Sequence, residues 1–354
     1  MTQFKSITKT ILITLLATGT VVLIVFLSNR GGGNGEPKGT YHSPTLFAMD
    51  TALDITIQGR STVQEKADAD AAVKLARDIE AHTSRFIATS DVSGVNAGAG
   101  VAPVKVHEDT MYLVQKSLEY GAITGGAFDI TIAPIVELWG FYNQVYKIPS
   151  QEEINRALAF VDYRKVVVDR AGGTVFLPEK GMQIDMGGVA KGYAVNQMYE
   201  LLKNRGVKSA LVNFGGSVGA LGRRADGKQW VIGIKHPRAE GGDLIGELHV
   251  ENAFVNSSGD YERYFVRNGT RYCHIFDPAT GYQPRSVIST TLVGPDATVA
   301  DILCKVPFVI GPQKGLEFMK GEPGFQALIV GETGKTYFTP NMKSEYVITI
   351  QEQI

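Results

Sequence analysis

One stretch restricts the fold of this chain more than any other. Residues 182–193 read MQIDMGGVAKGY. They predict a buried strand over 182–186 that ends beside Asp185, a tight turn at Gly187 and Gly188, and a helix over 189–204. Glycine lets the backbone come close to a ligand. Free N–H groups at a helix start favour an anion, and Lys191 adds a point charge there. The spacing matches neither the phosphate-binding P-loop nor the dinucleotide fingerprint. Physics alone leaves two readings open, a plain helix-packing turn and a phosphate site.

Around this stretch the pattern is mixed. A strand is expected over 47–57. Ser61 opens a helix with a Ser-x-x-Gln box to Gln64, and Val63, Ala67, Ala71, Leu75 and Ile79 mark its apolar stripe. A second helix is expected over 109–120, and Ser150 with Glu153 opens a third. Residues 165–169 and 174–177 flank Ala171-Gly172-Gly173 as a hairpin. A strand over 210–214 ends at Gly215-Gly216, short strands run to about 293, a helix covers 299–310, and a strand-rich tail follows. Strands and helices alternate without a βαβ repeat, so the expected class is α+β.

Residues 11–27 (ILITLLATGTVVLIVFL) carry no charge, with Lys5 and Lys9 before them and Arg30 and a glycine-rich stretch after. At about 1.5 Å per residue the run is near the lower limit for a membrane span, and the lysines favour an N-terminus inside. No small-x-small cleavage site follows. The expectation is a signal anchor over 1–28, a flexible linker over 29–43, and one body over 44–354 outside the cytoplasm, held to the cell membrane by a single pass. The formal net charge of −1 argues against a nucleic-acid partner. Two cysteines, Cys273 and Cys304, exclude a disulfide-dense scaffold; free thiols are the simpler expectation, with one bridge still open.

Three further constellations stand out. Gly125-Gly126-Ala127-Phe128-Asp129, followed by Trp139-Gly140-Phe141, sets small residues beside an acid and large aromatics. That mixture suits a flat ring system, or equally a turn over a core tryptophan. Ser257-Ser258-Gly259-Asp260-Tyr261 precedes Cys273-His274-Ile275-Phe276-Asp277. His274 with Asp277 reads either as a base with its orienting group or as a histidine before an Asp-Pro turn.

Taken together, these segments resemble the ApbE family of FAD:protein FMN transferases. The matching runs, in order, are Met49-Asp50-Thr51; Phe86 with Ser90 and Asn96; Gly126 to Asp129 with Pro134 and Trp139 to Phe141; Asp185 to Tyr193; Asn213 to Gly216; Ser258 to Tyr261; His274 to Gly281; and Ala300-Asp301. The resemblance implies an ApbE-like α+β fold with FAD in a cleft lined by Met49, Phe86, Ala127, Phe128, Asp129, Asp185, Lys191 and Ile275. It implies cleavage of the FAD diphosphate, with FMN passing to a Thr hydroxyl of an acceptor protein, such as a redox membrane-complex subunit, and AMP leaving. His274 is the expected base. Two alternatives accompany this reading: a non-catalytic FAD carrier, and an FAD pyrophosphatase giving FMN and AMP.

The resemblance also implies Mg2+, held by the carbonyls of Gly188 and Cys304, by Asp301, and by a Thr hydroxyl four residues after Asp301. Here that position is Lys305. An ammonium has donors and no acceptor, so it is no ligand, but it can pair with Asp301 at i,i+4 on a helix. Two outcomes follow. Either the ammonium replaces part of the metal's charge and leaves FAD bound but slowly turned over, or magnesium binds with a substitute ligand such as water. A second departure is Ser217, where many relatives carry Asp.

Overall fold

The computed structural model describes residues 39–239, 242–350 and 354. The expected anchor over 11–27 lies outside the described residues. Among the described residues no helix is long and apolar enough to cross a membrane.

A nine-stranded sheet organises the chain. Its strand order is Thr40–His42, Thr51–Gln58, Ala210–Phe214, Ser217–Leu221, Ala253–Gly259, Val287–Gly294, Gln326–Gly331 and Thr336–Phe338, with Leu46–Ala48 pairing on Thr51–Gln58. Every pairing in it is antiparallel, as the α+β expectation requires. Thr40–His42, inside the span expected as linker, is an edge strand.

Alternation along the strands sends side chains to two separate cores. Leu53, Ile55, Ile57, Val212 and Phe214 pack against the helices Thr62–Thr83 and Ala190–Asn204. Leu211, Val218, Ala220 and Val255 face the other way, onto Trp230, Ile232 and Leu248 of a three-stranded sheet. The strand Ala210–Phe214 is therefore buried along its whole length.

Several expectations need correction. The strand over 47–57 is two strands, broken at Met49 and Asp50, whose φ of 47° and 59° are left-handed. The stripe on the first long helix is displaced: Val63 is 81 % exposed. The buried face holds Ala69, Ala72, Val73, Ala76 and Ile79 with Glu65 and Asp68. Those carboxylates are partnered there. Glu65 accepts the Arg60 backbone N–H, and Asp68 pairs with both Arg60 and Arg205. Residues 182–186 join no sheet. Instead the Asn96 amide serves Ile184 as a one-residue strand partner, giving 3.0 Å to its carbonyl and 2.7 Å from its N–H. The helix over 299–310 is two helices, Ala297–Leu303 and Val306–Ile310, with Lys305 at the break. The tail contains an unexpected helix, Pro312–Lys320. Cys273 and Cys304 are free and buried.

Candidate active site: a cleft at one end of the sheet

The sheet register gathers one set of strand ends at a common edge. Thr51, Gly215, Ser217 and Ser257 to Gly259 lie there and line a cleft. Gly215 and Gly216 make the two-residue hairpin turn between Phe214 and Ser217 with φ of 58° and 91°. Left-handed geometry at both positions is what such a turn requires. A Cβ on Gly215 would also stand 2.5 Å from the Thr51 hydroxyl.

Of the residues singled out from sequence, Met49, Ala127, Phe128, Asp129, Asp185, Gly188, Lys191, His274, Ile275, Asp301 and Lys305 line this one cleft. Phe86 stands at its rim, 58 % exposed, with its ring edge-on to Tyr142 at 5.5 Å. Cys304 lies beneath, fully buried. Trp139 is also interior; its indole N–H donates to the Gly281 carbonyl at 3.0 Å and ties two of the motifs together under the cleft.

Phe128, Phe141, Tyr142 and Phe276 supply the cleft with flat apolar surface. Phe128 sits against the Gly188 backbone, where a Cβ would meet the ring at 3.0 Å. The two acids expected beside a flavin already serve the fold. Asp129 Oδ1 accepts from the Thr131 N–H at 2.7 Å and the Thr131 hydroxyl at 2.6 Å, and its Oδ2 accepts from the Tyr163 N–H at 2.9 Å. Burial raises the Asp129 carboxyl above its usual range, against those hydrogen bonds. Asp185 accepts from the Gly187 N–H at 2.8 Å and from the Tyr142 hydroxyl at 2.6 Å. Arg85 stacks 3.8 Å over the Tyr142 ring and donates to Gln183. Burial, then the Asp185 charge, pushes the Tyr142 phenol well up, so it remains a donor to Asp185.

Cationic groups adjoin these rings, and the Gly187-Gly188 turn touches both sets: Phe128 and Lys305 meet Gly188, while Gly187 binds Lys191 and the Asp185 that holds Tyr142. The cations are Lys191, Arg263 and Lys305, with His274 among them. Lys191 donates to the Gly187 carbonyl at 3.0 Å, and burial lowers its basicity while Asp301 opposes the shift. His274 Nδ1 lies 3.3 Å from the Arg263 carbonyl. Desolvation, then the Arg263 and Lys191 charges, lowers His274 to about 3, so the ring is neutral and able to accept a proton. Asp277, the orienting group considered from sequence, turns away to cap its own loop through Ala279 and Thr280. Arg263 and Glu262 were not singled out from sequence; both follow Ser258-Gly259-Asp260-Tyr261 directly, which is the signal that could have found them. Burial raises Glu262 to about 7 against the pull of Lys235 and Lys191.

The proposed metal position is filled by the chain. The Lys305 ammonium donates to the Gly188 carbonyl at 3.1 Å, to the Asp301 carbonyl at 2.5 Å, and to Asp301 Oδ1. Asp301 Oδ2 accepts from the Gly192 N–H at 3.0 Å. The Cys304 carbonyl accepts from the Thr290 hydroxyl at 2.7 Å. The residues present, so arranged, do not fit a divalent ion.

A family model for the ApbE family matches residues 49–329, a span that contains every cleft residue named above. The chain belongs to the ApbE family. It is 31% identical over 325 residues to the FAD:protein FMN transferase of Treponema pallidum (strain Nichols), covering 87% of this chain and 90% of that one. It is 34% identical over 244 residues to that of Klebsiella pneumoniae (strain 342), covering 69% and 75%. The ApbE protein of Thermotoga maritima superimposes with a TM-score of 0.80 at 34% identity, over 86% of this chain and 98% of that chain. The apo form of the Pseudomonas stutzeri flavinyl transferase ApbE gives 0.75 at 27% identity, over 86% and 96%. The mixed helix-and-sheet architecture described above is thus the ApbE fold.

Proposed function

We propose that this chain is an FAD:protein FMN transferase. The observation that carries the proposal is the union, in one cleft within the span of the family match, of aromatic rings and a group of cations. The flavin ring packs on Phe128, Phe141 and Tyr142, where ring faces and edges pack favourably. The diphosphate lies toward Lys191 and Arg263, where cations favour its charge, while Lys305 cancels the Asp301 charge beside them.

In the reaction, a Thr hydroxyl of the acceptor protein attacks the phosphorus on the riboflavin side. The bond from that phosphorus to the bridging oxygen breaks, and AMP leaves with that oxygen. FMN remains on the threonine as a phosphodiester. His274 takes the hydroxyl proton. Its low basicity in the free protein comes partly from Arg263 and Lys191; the diphosphate's negative charge offsets those cations and raises it.

The test is incubation with FAD and a Thr-containing acceptor peptide, following AMP and peptide mass. AMP with a flavinylated peptide supports the transferase. AMP alone marks a pyrophosphatase, and bound FAD without AMP marks a carrier. The carrier is the second reading, favoured by the Lys305 ammonium at the metal position.

The apolar run over 11–27 supports a further proposal, that the body is held at the outer face of the cell membrane by an uncleaved anchor. Fractionation should place the protein with membranes. A soluble mature chain whose N-terminus falls after about residue 30 would contradict it.

A further inference from the structure

The cation on the Gly188 carbonyl in the cleft is covalently part of this chain. Lys305 leaves the break between the helices Ala297–Leu303 and Val306–Ile310 and reaches back across Asp301 to the Gly187-Gly188 turn. Its three N–H donors meet three oxygens: the Gly188 carbonyl, the Asp301 carbonyl and the Asp301 carboxylate. The Asp301 carbonyl belongs to the last turn of a helix, where backbone oxygens lack helical partners and a cation is favoured. A Cβ at Gly188 would make only ordinary contact with Lys305 Cε, at 3.9 Å, but would press on the Phe128 ring at 3.0 Å. The side chain is largely enclosed, at 18 % exposure, and its carboxylate partner at 6 %.

These oxygens are the ones a divalent ion would need. A metal entering here must displace an ammonium that is already ion-paired and hydrogen-bonded. The expelled ammonium would then stand beside the metal as a like charge. It would also find no ligand in the displaced side chain, because a charged lysine offers no lone pair. The neighbouring charges suit an alternative. Lys191 and Arg263 line the same cleft, near enough to lower His274.

Resting on the flavin-transferase reading, we infer that Lys305 is a tethered substitute for the divalent ion. The cleft then takes the FAD diphosphate without metal, and magnesium does not enter it.

The test uses the full chain, with FAD binding read by flavin fluorescence and magnesium binding read by calorimetry in the absence of FAD. For the unaltered protein, the FAD dissociation constant should agree within about twofold between excess EDTA and millimolar magnesium, and magnesium should give no saturable heat. Lys305→Thr restores a hydroxyl and removes the ammonium. It should bind FAD at least about tenfold more weakly in EDTA and recover with magnesium, with a saturable magnesium heat. If magnesium tightens FAD binding to the unaltered protein about tenfold or more, with a saturable heat, the inference is overturned. If the unaltered protein binds no FAD under either condition, the flavin reading fails instead. Calorimetry on the unaltered protein then still decides whether magnesium enters. Both decisive arms use the unaltered chain, so they hold even where the variant does not fold.

Discussion

At the scale of single residues, the cleft separates side chains that build it from those able to act in it. Asp129 builds the cleft as well as lining it. Its carboxylate accepts three hydrogen bonds from Thr131 and Tyr163. Asp129→Ala would leave those donors buried without partners, at a cost of about 1–3 kcal/mol. We expect chemical denaturation to show that loss; an unchanged midpoint would contradict it. His274 is on the other side. His274→Ala should lower FMN transfer by about a hundredfold to ten-thousandfold and leave FAD binding close to unchanged. Because its pKa is depressed to about 3, the free protein holds the neutral ring down to that pH. The acid limb of kcat/KM assigned to His274 should therefore fall well below the ordinary histidine value of about 6.5. The linkage to stability has a definite sign. Between about 6.5 and about 3 the unfolded chain takes up a proton that the folded chain refuses, so His274 makes stability fall as pH drops through that window. Met49 illustrates a residue-level constraint of another kind. A non-glycine residue at φ 47° is strained, and its N–H is held by Glu80 at 2.7 Å.

At the scale of elements, what could be read from sequence depended on whether the deciding partner was local. The helix Ala190–Asn204 and the hairpin around Gly215-Gly216 were legible because period and turn chemistry lie in the segment itself. The apparent strand at 182–186 was not, because its partner is the side chain of Asn96, about a quarter of the chain away. The long first helix was misaligned for a similar reason. Glu65 and Asp68 look like solvent residues until Arg60 and Arg205 are brought beside them. The break at Lys305 did leave a local mark in Pro307, which cannot sit in a helix interior and here takes the first turn of a new helix. Of the candidate site, the acids, Lys191 and His274 were legible as motif members. That the acids' oxygens are already engaged by the fold, and that Lys305 reaches the Gly188 carbonyl, were long-range facts. Helix packing at the cleft gives its own test. Gly192 brings two helices together so closely that a Cβ would lie 2.2 Å from the Ala297 carbonyl and 2.7 Å from Asp301 Cβ. Gly192→Ala should destabilise the chain by about 1–3 kcal/mol and disturb the Asp301–Lys305 pair with it. A thermal midpoint equal to that of the unaltered protein would contradict this close approach.

At the scale of the whole molecule, an antiparallel sheet covered on both faces leaves one end open, and the chemistry-bearing residues collect there. The near-neutral chain offers no overall field for drawing in a polyanion; positive charge is instead local, at Lys191 and Arg263 in the cleft. Under the proposed reaction the acceptor threonine reaches the same opening. The account therefore stands on a coupling of two products. The direct measurement is the molar ratio of AMP released from FAD to FMN gained by a Thr-containing acceptor peptide, followed by mass in one reaction. A ratio of one to one through the whole time course is the predicted result. AMP accumulating without the peptide adduct, or FAD remaining intact while bound, would contradict it.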